Sequence, residues 1–324
     1  MRISCLFALL AVSSVSAFSP LAFNGHGRTT SSLYAEVTVA LIKELRETTG
    51  AGMMDCKKAL IEVDGDFEQA LADLRKKGLA KSDKKASRVA AEGKIVSASN
   101  GENAVLVEVN CETDFVAKDS TFLAFADSVA GAALGSNSED LDSLMGSTVG
   151  SSTVEETRQA IVAKIGENIQ VRRISKMGGP GSTVGSYVHM GKIGVMVELQ
   201  GGTQELATDV AMHVAAMNPA YATQEDVPAE DIEKERAILI SQVEDSGKPA
   251  DIIQKMVDGR VRKYLEDICL VSQTYVKTND KTVGKLLSDA GAKMVGFKRL
   301  NVGEGIEKKT EDFAAEVAKM ASGK

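Results

Sequence analysis

EVNCETDFVAK, residues Glu108 to Lys118, is the stretch on which the reading of this chain turns. Upstream of its turn, Val105, Val107 and Val109 alternate with Leu106 and Glu108, the period-two pattern of a half-buried strand. Asn110 to Glu112 break that pattern. Thr113 and Asp114 then read as a helix start, because a hydroxyl or carboxylate there accepts hydrogen bonds from the free backbone N–H groups of a first turn. Phe115 falls in that turn. A phenylalanine just after a strand ordinarily packs on the sheet beneath it, so this acid-aromatic pair is either a piece of core or a point of contact.

Working outward, the strand proves to be one copy of a repeat. Val96 to Val109 (VSASNGENAVLVEV) aligns without gaps with Ser186 to Leu199 (SYVHMGKIGVMVEL), 90 residues later, matching Gly101 with Gly191, Val105 with Val195 and Glu108 with Glu198. Both copies read as hairpins with glycine at the turn. The helical segments that follow, Phe122 to Ala133 and Thr203 to Ala215, align at an offset of 81 instead, so nine residues are extra in the first copy. They fall where CETDFVAK lies. An insertion confined to one repeat is better suited to serving a partner than to serving the shared core.

On the N-terminal side, Glu36 to Gly78 reads as three short helices. Val37, Leu41 and Leu45 form one apolar stripe, Met54, Ala59, Leu60 and Val63 a second, and Phe67, Ala70, Leu71 and Leu74 a third, with Asp64-Gly65-Asp66 as the punctuation between the last two. The basic run Lys81 to Arg88 has no interleaved aromatics and reads as a solvated helix or tether. Beyond the second repeat, Ile232, Leu239 and Val243 precede the Gly247-Lys248-Pro249 break, and Ile253, Val257, Val261, Tyr264 and Ile268 follow it. That spacing predicts two antiparallel helices meeting on a narrow seam, each about 18 residues and roughly 27 Å long. Thr282 to Val302 is expected to return to the second repeat.

Composition narrows the function classes. A net charge of −7, or about −9 once the first 35 residues with Arg2 and Arg28 are removed, argues against tracking a phosphate backbone, so no direct nucleic-acid contact is expected. Cys56, Cys111 and Cys269 are widely spaced, which fits neither a disulfide framework nor a metal site. No histidine lies near Cys111 to act as its base, and it reads as a small apolar filler. The three histidines, at 26, 189 and 213, are scattered, and His213 beside Val210 and Val214 reads as structural. Gly178-Gly179-Pro180-Gly181 lacks the Lys-Ser/Thr ending of a phosphate loop. No catalytic residues, cofactor or metal are expected.

Four segments, in order, carry a resemblance. LRETTGAGMMDCKKAL (Leu45 to Leu60), CETDFVAK, VAKIGENI (Val162 to Ile169) and VGEGIEK (Val302 to Lys308) are similar to the signatures of translation elongation factor Ts, the guanine-nucleotide exchange factor of elongation factor Tu. The resemblance covers nearly everything after Ala35. It implies an α+β fold with a ubiquitin-associated-like three-helix unit, duplicated core subdomains, a protruding coiled-coil hairpin and a C-terminal helix. The expected boundaries are 35–88, 89–181, 182–227 with 271–305, 228–270 and 306–324. It also implies that Asp114 and Phe115, with Thr113, Val116 and Lys118, wedge into the GTPase beside its Mg²⁺ and phosphate site. Arg46, Met53, Met54 and Lys57 match the family's N-terminal contact face, although methionines at such places also serve as core. His189, in the family's SYxH segment, either meets another domain of elongation factor Tu or is structural; Met190-Gly191-Lys192 after it departs from the usual glycine and arginine. The hairpin is a candidate for self-association.

Residues 1–34 read as a targeting segment. Arg2 precedes the apolar run Cys5 to Val12, and Ser14-Val15-Ser16-Ala17 offers a cleavage point, the layout of a secretory signal. Phe18-Ser19-Pro20 and a Ser/Thr-bearing stretch without acid until Glu36 follow, and the whole resembles the bipartite address of a secondary plastid. The mitochondrion is the alternative. The run is too short to span a bilayer, so no membrane is expected for the mature form.

Overall fold

The computed structural model describes residues 37–136, 139–243 and 249–307. The expected targeting segment over 1–34 and, apart from Ile306 and Glu307, the expected C-terminal module lie outside the described residues. The class is α+β.

Three helices open the described chain: α1 (Val39–Thr49), α2 (Met53–Glu62) and α3 (Phe67–Lys85). Thr38 Oγ1 starts α1 by accepting from Leu41 N at 3.2 Å, and Asp66 Oδ1 starts α3 by accepting from Gln69 N at 3.0 Å. Ile42, Leu45, Cys56, Ala59, Leu60, Ala70 and Leu74 form their common core. Met54, expected on that face, is 63% exposed. The inward stripe of α2 runs through Cys56, Ala59 and Leu60, at spacings three and four, and Met54 falls off it.

A first antiparallel sheet has the order β1 (Glu92–Ser99), β2 (Asn103–Cys111), β5 (Ile169–Gly178). Between β2 and β5 come a 3₁₀ turn (Val116–Lys118), α4 (Ser120–Gly135), α5 (Leu141–Gly146), the two-residue strands β3 (Thr148–Val149) and β4 (Ser152–Thr153), and α6 (Val154–Ile165). Helix α3 does not end at Gly78 as the spacing predicts. It packs on α6, where a Cβ at Gly78 would meet Ala163 Cβ at ordinary contact distance, 3.5 Å, and it continues through most of the basic run to Lys85.

A second sheet repeats the first. Its order is β6 (Ser182–His189), β7 (Ile193–Gln200), β8 (Lys293–Asn301), and between β7 and β8 lie α7 (Gln204–Met217), α8 (Ala229–Val243), α9 (Ala250–Ile268) and α10 (Val283–Asp289). The 90-residue offset carries β1 onto the numbers of β6 and β2 onto those of β7. Even the register shifts correspond, at Glu108/Val109 in one sheet and Glu198/Leu199 in the other. The inward residues of α4, Ala126, Val129, Ala130 and Ala133, recur 81 residues later as Ala207, Val210, Ala211 and Val214 of α7.

The two sheets lie face to face. One face of the first sheet is covered by helices, with Val105, Val107, Val109 and Cys111 packed among Phe122, Phe125, Val129 and Val162. The other face, through Ile95, Ala104 and Leu106, meets Val184 and Met196 of the second sheet. Helices α7 and α10 cover the far side of that sheet. The expectation of a half-buried β2 is therefore corrected: it is buried on both faces, because the alternation separates two cores rather than a core from solvent. Gly194 of β7 lies where the layers are closest, and a Cβ there would come within 2.4 Å of Ile95 Cγ2.

Helices α8 and α9 form an antiparallel pair on their own small core of Leu239, Val243, Val257 and Val261. Met256 and Leu265 join this seam where Tyr264 and Ile268 are expected. The chain leaves and re-enters the core at one place, since Ala220 N donates to Ile268 O and Leu270 N to Tyr221 O, both at 2.9 Å.

A buried carboxylate ties the halves together. Glu108 accepts from Arg172 Nη1 at 3.2 Å, from Arg173 Nε, from Asn110 Nδ2 at 3.1 Å and from Gly303 N at 2.8 Å. The same arginines reach Glu304 O at 2.6 Å, just past β8, and Asn301 O at 2.8 Å, at its last residue. Burial pushes the carboxyl up, but the Gly303 N–H and Arg173 outweigh it and hold Glu108 below the ordinary range. Gly303 adopts φ +73°, and a Cβ there would sit 2.4 Å from Ala91 O, so glycine is required for the backbone to come this close.

Candidate partner-contact site

The nine-residue insertion leaves β2 at Cys111 and rejoins the repeat at α4. Its first anchor is Thr113, whose N–H donates to Glu167 Oε2 at 3.0 Å and whose hydroxyl donates to Glu167 Oε1 at 2.7 Å. Its second is Val116, buried with Ala117 in the core beneath the sheet. Between the anchors, Phe115 is pushed out and stands 80% exposed. Asp114 beside it accepts from Lys118 Nζ at 2.7 Å, and that ammonium holds its carboxyl below the usual range.

The expected helix start needs correction. Thr113 does begin a turn, with Ala117 N donating to its carbonyl at 3.3 Å, but that one bond runs straight into the 3₁₀ turn Val116–Lys118, which ends where Asp119 adopts extended backbone, ψ 136°. The long helix starts afterwards. Asp119 caps α4 by accepting from Thr121 N at 2.8 Å and Phe122 N at 3.2 Å. Thr113 Oγ1 accepts from Val116 N at 3.4 Å while donating to Glu167, so it caps the short turn, and the Asp119 carboxylate caps the helix that follows.

Cys111 Sγ faces Thr113 O at 3.1 Å, and burial pushes its thiol up to about 12, which leaves no reactive thiolate near neutrality. His213 is buried; Val276 N donates to its Nδ1 at 3.2 Å, so Nε2 carries the proton and donates to Gln273 Oε1 at 3.0 Å. Burial pushes its pKa down despite that second bond. Both groups are structural. Among the described residues no cluster of ligating side chains would hold a metal, and no helix is long and apolar enough to cross a membrane.

The remaining expected residues lie elsewhere. Met53 and Met54 are 46% and 63% exposed at the start of α2, with Lys57 exposed one turn on. Arg46 lines an open depression with Lys43, Glu47, Gly50 and Lys164. Lys164 is in the last turn of α6, three residues before Glu167, so this segment serves both the Arg46 surface and the Thr113 loop. His189 is exposed at the end of β6 with its Nδ1 3.1 Å from Tyr187 Oη. The next turn, Met190-Gly191, has φ +52° and +70° and docks on β1, with Ile95 N donating to Gly191 O at 2.8 Å.

The sequence reading missed the residues that hold the loop. Glu167 secures Thr113, and Glu112 Oε1 accepts from Asn168 N at 2.6 Å and Arg88 Nη1 at 3.5 Å. Asn168 Nδ2 in turn donates to Arg88 O at 2.8 Å. The signal for them was the polar pair inside VAKIGENI, a segment matched as a motif without a role.

Comparison with known proteins sets this architecture among the translation elongation factors. The family model described as Elongation factor TS matches residues 112–304. Elongation factor Ts of Alkalilimnicola ehrlichii is 54% identical over 289 residues, covering 89% of this chain and 99% of that protein. Elongation factor Ts of Xanthomonas campestris pv. campestris is also 54% identical over 289 residues, covering 88% of this chain and 99% of that protein. The chain belongs to the elongation factor Ts family. Its role lies in the elongation stage of protein biosynthesis.

Proposed function

We propose that this protein is a guanine-nucleotide exchange factor for elongation factor Tu, acting by contact and without covalent catalysis. The observation that carries the reading is an 80% exposed Phe115, beside a charged Asp114, on a loop anchored at both ends. A monomer gains nothing by presenting an aromatic ring to water, whereas burying it in a partner contributes roughly 2 to 3 kcal/mol, enough for a hot spot. Phe115 wedges into the GTPase beside its Mg²⁺ and phosphate site, and Asp114, released from Lys118, competes for the polar groups around the metal. Mg²⁺ loosens first, then GDP. Whatever factor the exchange protein costs GDP binding, GDP costs exchange-protein binding, so the complex with the empty GTPase is the tight one.

In this reading Thr113, Val116 and Lys118 hold the wedge, and Arg46, Met53, Met54 and Lys57 meet the G domain. His189 meets a second domain, and the α8–α9 hairpin is available for self-association. The division into three-helix unit, two core subdomains and hairpin follows the boundaries given above. The leader over 1–34 addresses the protein to a plastid, with the mitochondrion as the alternative. The relatives named above are bacterial, so this address rests on the leader alone; mass spectrometry of the mature N-terminus tests it, and a start near Ala35 is expected.

The exchange reading is tested by release of fluorescent GDP from purified elongation factor Tu. The Asp114→Ala, Phe115→Ala double variant is expected to lose most of the stimulation. A stimulated rate equal to wild type removes the wedge.

A further inference from the structure

We infer that Glu167 is a positioning residue which, with Glu112, forms a reciprocal clasp that sets the Asp114–Phe115 tip before any partner arrives. The inference rests on the exchange reading above but concerns residues outside the exposed tip. The clasp joins two chain segments far apart in sequence. Glu167, just after α6, accepts from both the N–H and the hydroxyl of Thr113, while Glu112, at the end of β2, accepts from the N–H of Asn168. Each segment's carboxylate therefore caps the other segment's backbone. Asn168 is buried, and its side chain is tied to Ala86 O and Arg88 O, so the anchor is itself held by the chain leaving α3.

The chemistry suits positioning. A carboxylate taking two donors from one residue fixes direction as well as distance, as a single bond does not. Phe115, 80% exposed, lies two residues from Thr113 and one from Val116, outside the core in which Val116 is buried. Its direction is set by its neighbours. Fixing them beforehand removes an ordering cost from the encounter and keeps the ring aimed at its target. The second repeat has no counterpart, since β7 ends at Gln200 and α7 begins at Gln204.

The test compares Glu167→Ala, Glu167→Gln, Thr113→Val and Phe115→Ala in two measurements. The first is the plateau and half-saturation of stimulated GDP release; the second is amide hydrogen exchange at Thr113 and Val116. Glu167→Ala is expected to lower the plateau roughly tenfold and leave half-saturation within about threefold, because the misplaced ring fails after binding through the other contacts. A partly unfolded protein would shift half-saturation and leave the plateau, so the split separates positioning from damage. The Thr113 amide is expected to exchange roughly tenfold faster. Glu167→Gln, which keeps one acceptor, is expected to recover most of the plateau, and Thr113→Val, which removes the hydroxyl as donor to Glu167 and as acceptor from Val116 N but keeps the Thr113 N–H, to fall between. Unchanged protection of Thr113 in Glu167→Ala overturns the inference. So does a wild-type plateau in Glu167→Ala when Phe115→Ala is impaired. If Phe115→Ala itself matches wild type while Glu167→Ala loses protection, the clasp stands and the wedge falls.

Discussion

Two phenylalanines seven residues apart have opposite fates, and the backbone between them explains why. Phe122 follows the Asp119 cap and is fully buried beneath the first sheet, whereas Phe115 precedes the cap on a turn whose inward position is taken by Val116. Substituting each by alanine separates stability from function. Phe122→Ala is expected to lower unfolding free energy by roughly 3 to 5 kcal/mol in urea titration. Phe115→Ala is expected to leave the urea midpoint at the wild-type value and to slow nucleotide release. A destabilised Phe115→Ala protein would mean the ring packs at home. Both residues were legible as apolar, and the family resemblance pointed Phe115 outward, but side-chain spacing did not, because the ring's direction depends on the Thr113–Glu167 bonds between residues 54 apart.

At the scale of elements, β2 and the α8–α9 pair make different demands. A strand buried on both faces tolerates no added volume. Gly194→Ala in the facing strand β7 would drive a methyl against Ile95 and Leu106 and is expected to cost roughly 1 to 3 kcal/mol, measured by thermal or urea unfolding. The helical pair buries its seam within itself and rejoins the core where it left. Replacing residues 229–266 by a short Gly-Ser linker is therefore expected to keep the strand amide resonances of both sheets in place in a heteronuclear NMR spectrum; their loss would show that the core leans on the hairpin. Apolar spacing revealed the helical pair, the hairpins and the repeat because each is a local periodicity. It misassigned Met54 and Tyr264 because neighbouring positions on one helix turn compete for one seam, and packing decides between them.

For the whole molecule, Glu108 pairs with Arg172 and Arg173 of its own sheet and accepts from Gly303 N beyond β8, which puts a buried charge cluster where the two halves meet. Its folded-state pKa lies below the ordinary value of 4.5, so the ionised form favours the folded state. That contribution is complete above about 4.5 and is lost as pH falls through the lower folded value. Glu108→Gln leaves Arg172 without its counter-charge and Arg173 with only the longer, exposed pair to Glu304, and is expected to cost about 3 kcal/mol at pH 7. In urea unfolding from pH 7 to 3, the gap between variant and wild type is expected to narrow below 4.5; a constant gap would remove the charge from the explanation. Nothing in VGEGIEK announces that its first glycine donates to a carboxylate 195 residues earlier.

The amino-acid order alone determined what is periodic or local: helices, paired hairpins, the 90-residue repeat, the nine-residue excess in one copy and the motifs that carry the family. These follow from side-chain spacing along one segment, which short-range geometry converts directly into a face or a turn. Only the tertiary structure decided that β2 serves two cores, that Glu112 and Glu167 clasp the contact loop, and that Glu108 locks the halves. Those outcomes depend on which distant segments are brought together, and a buried charge or an exposed ring takes its meaning from those neighbours.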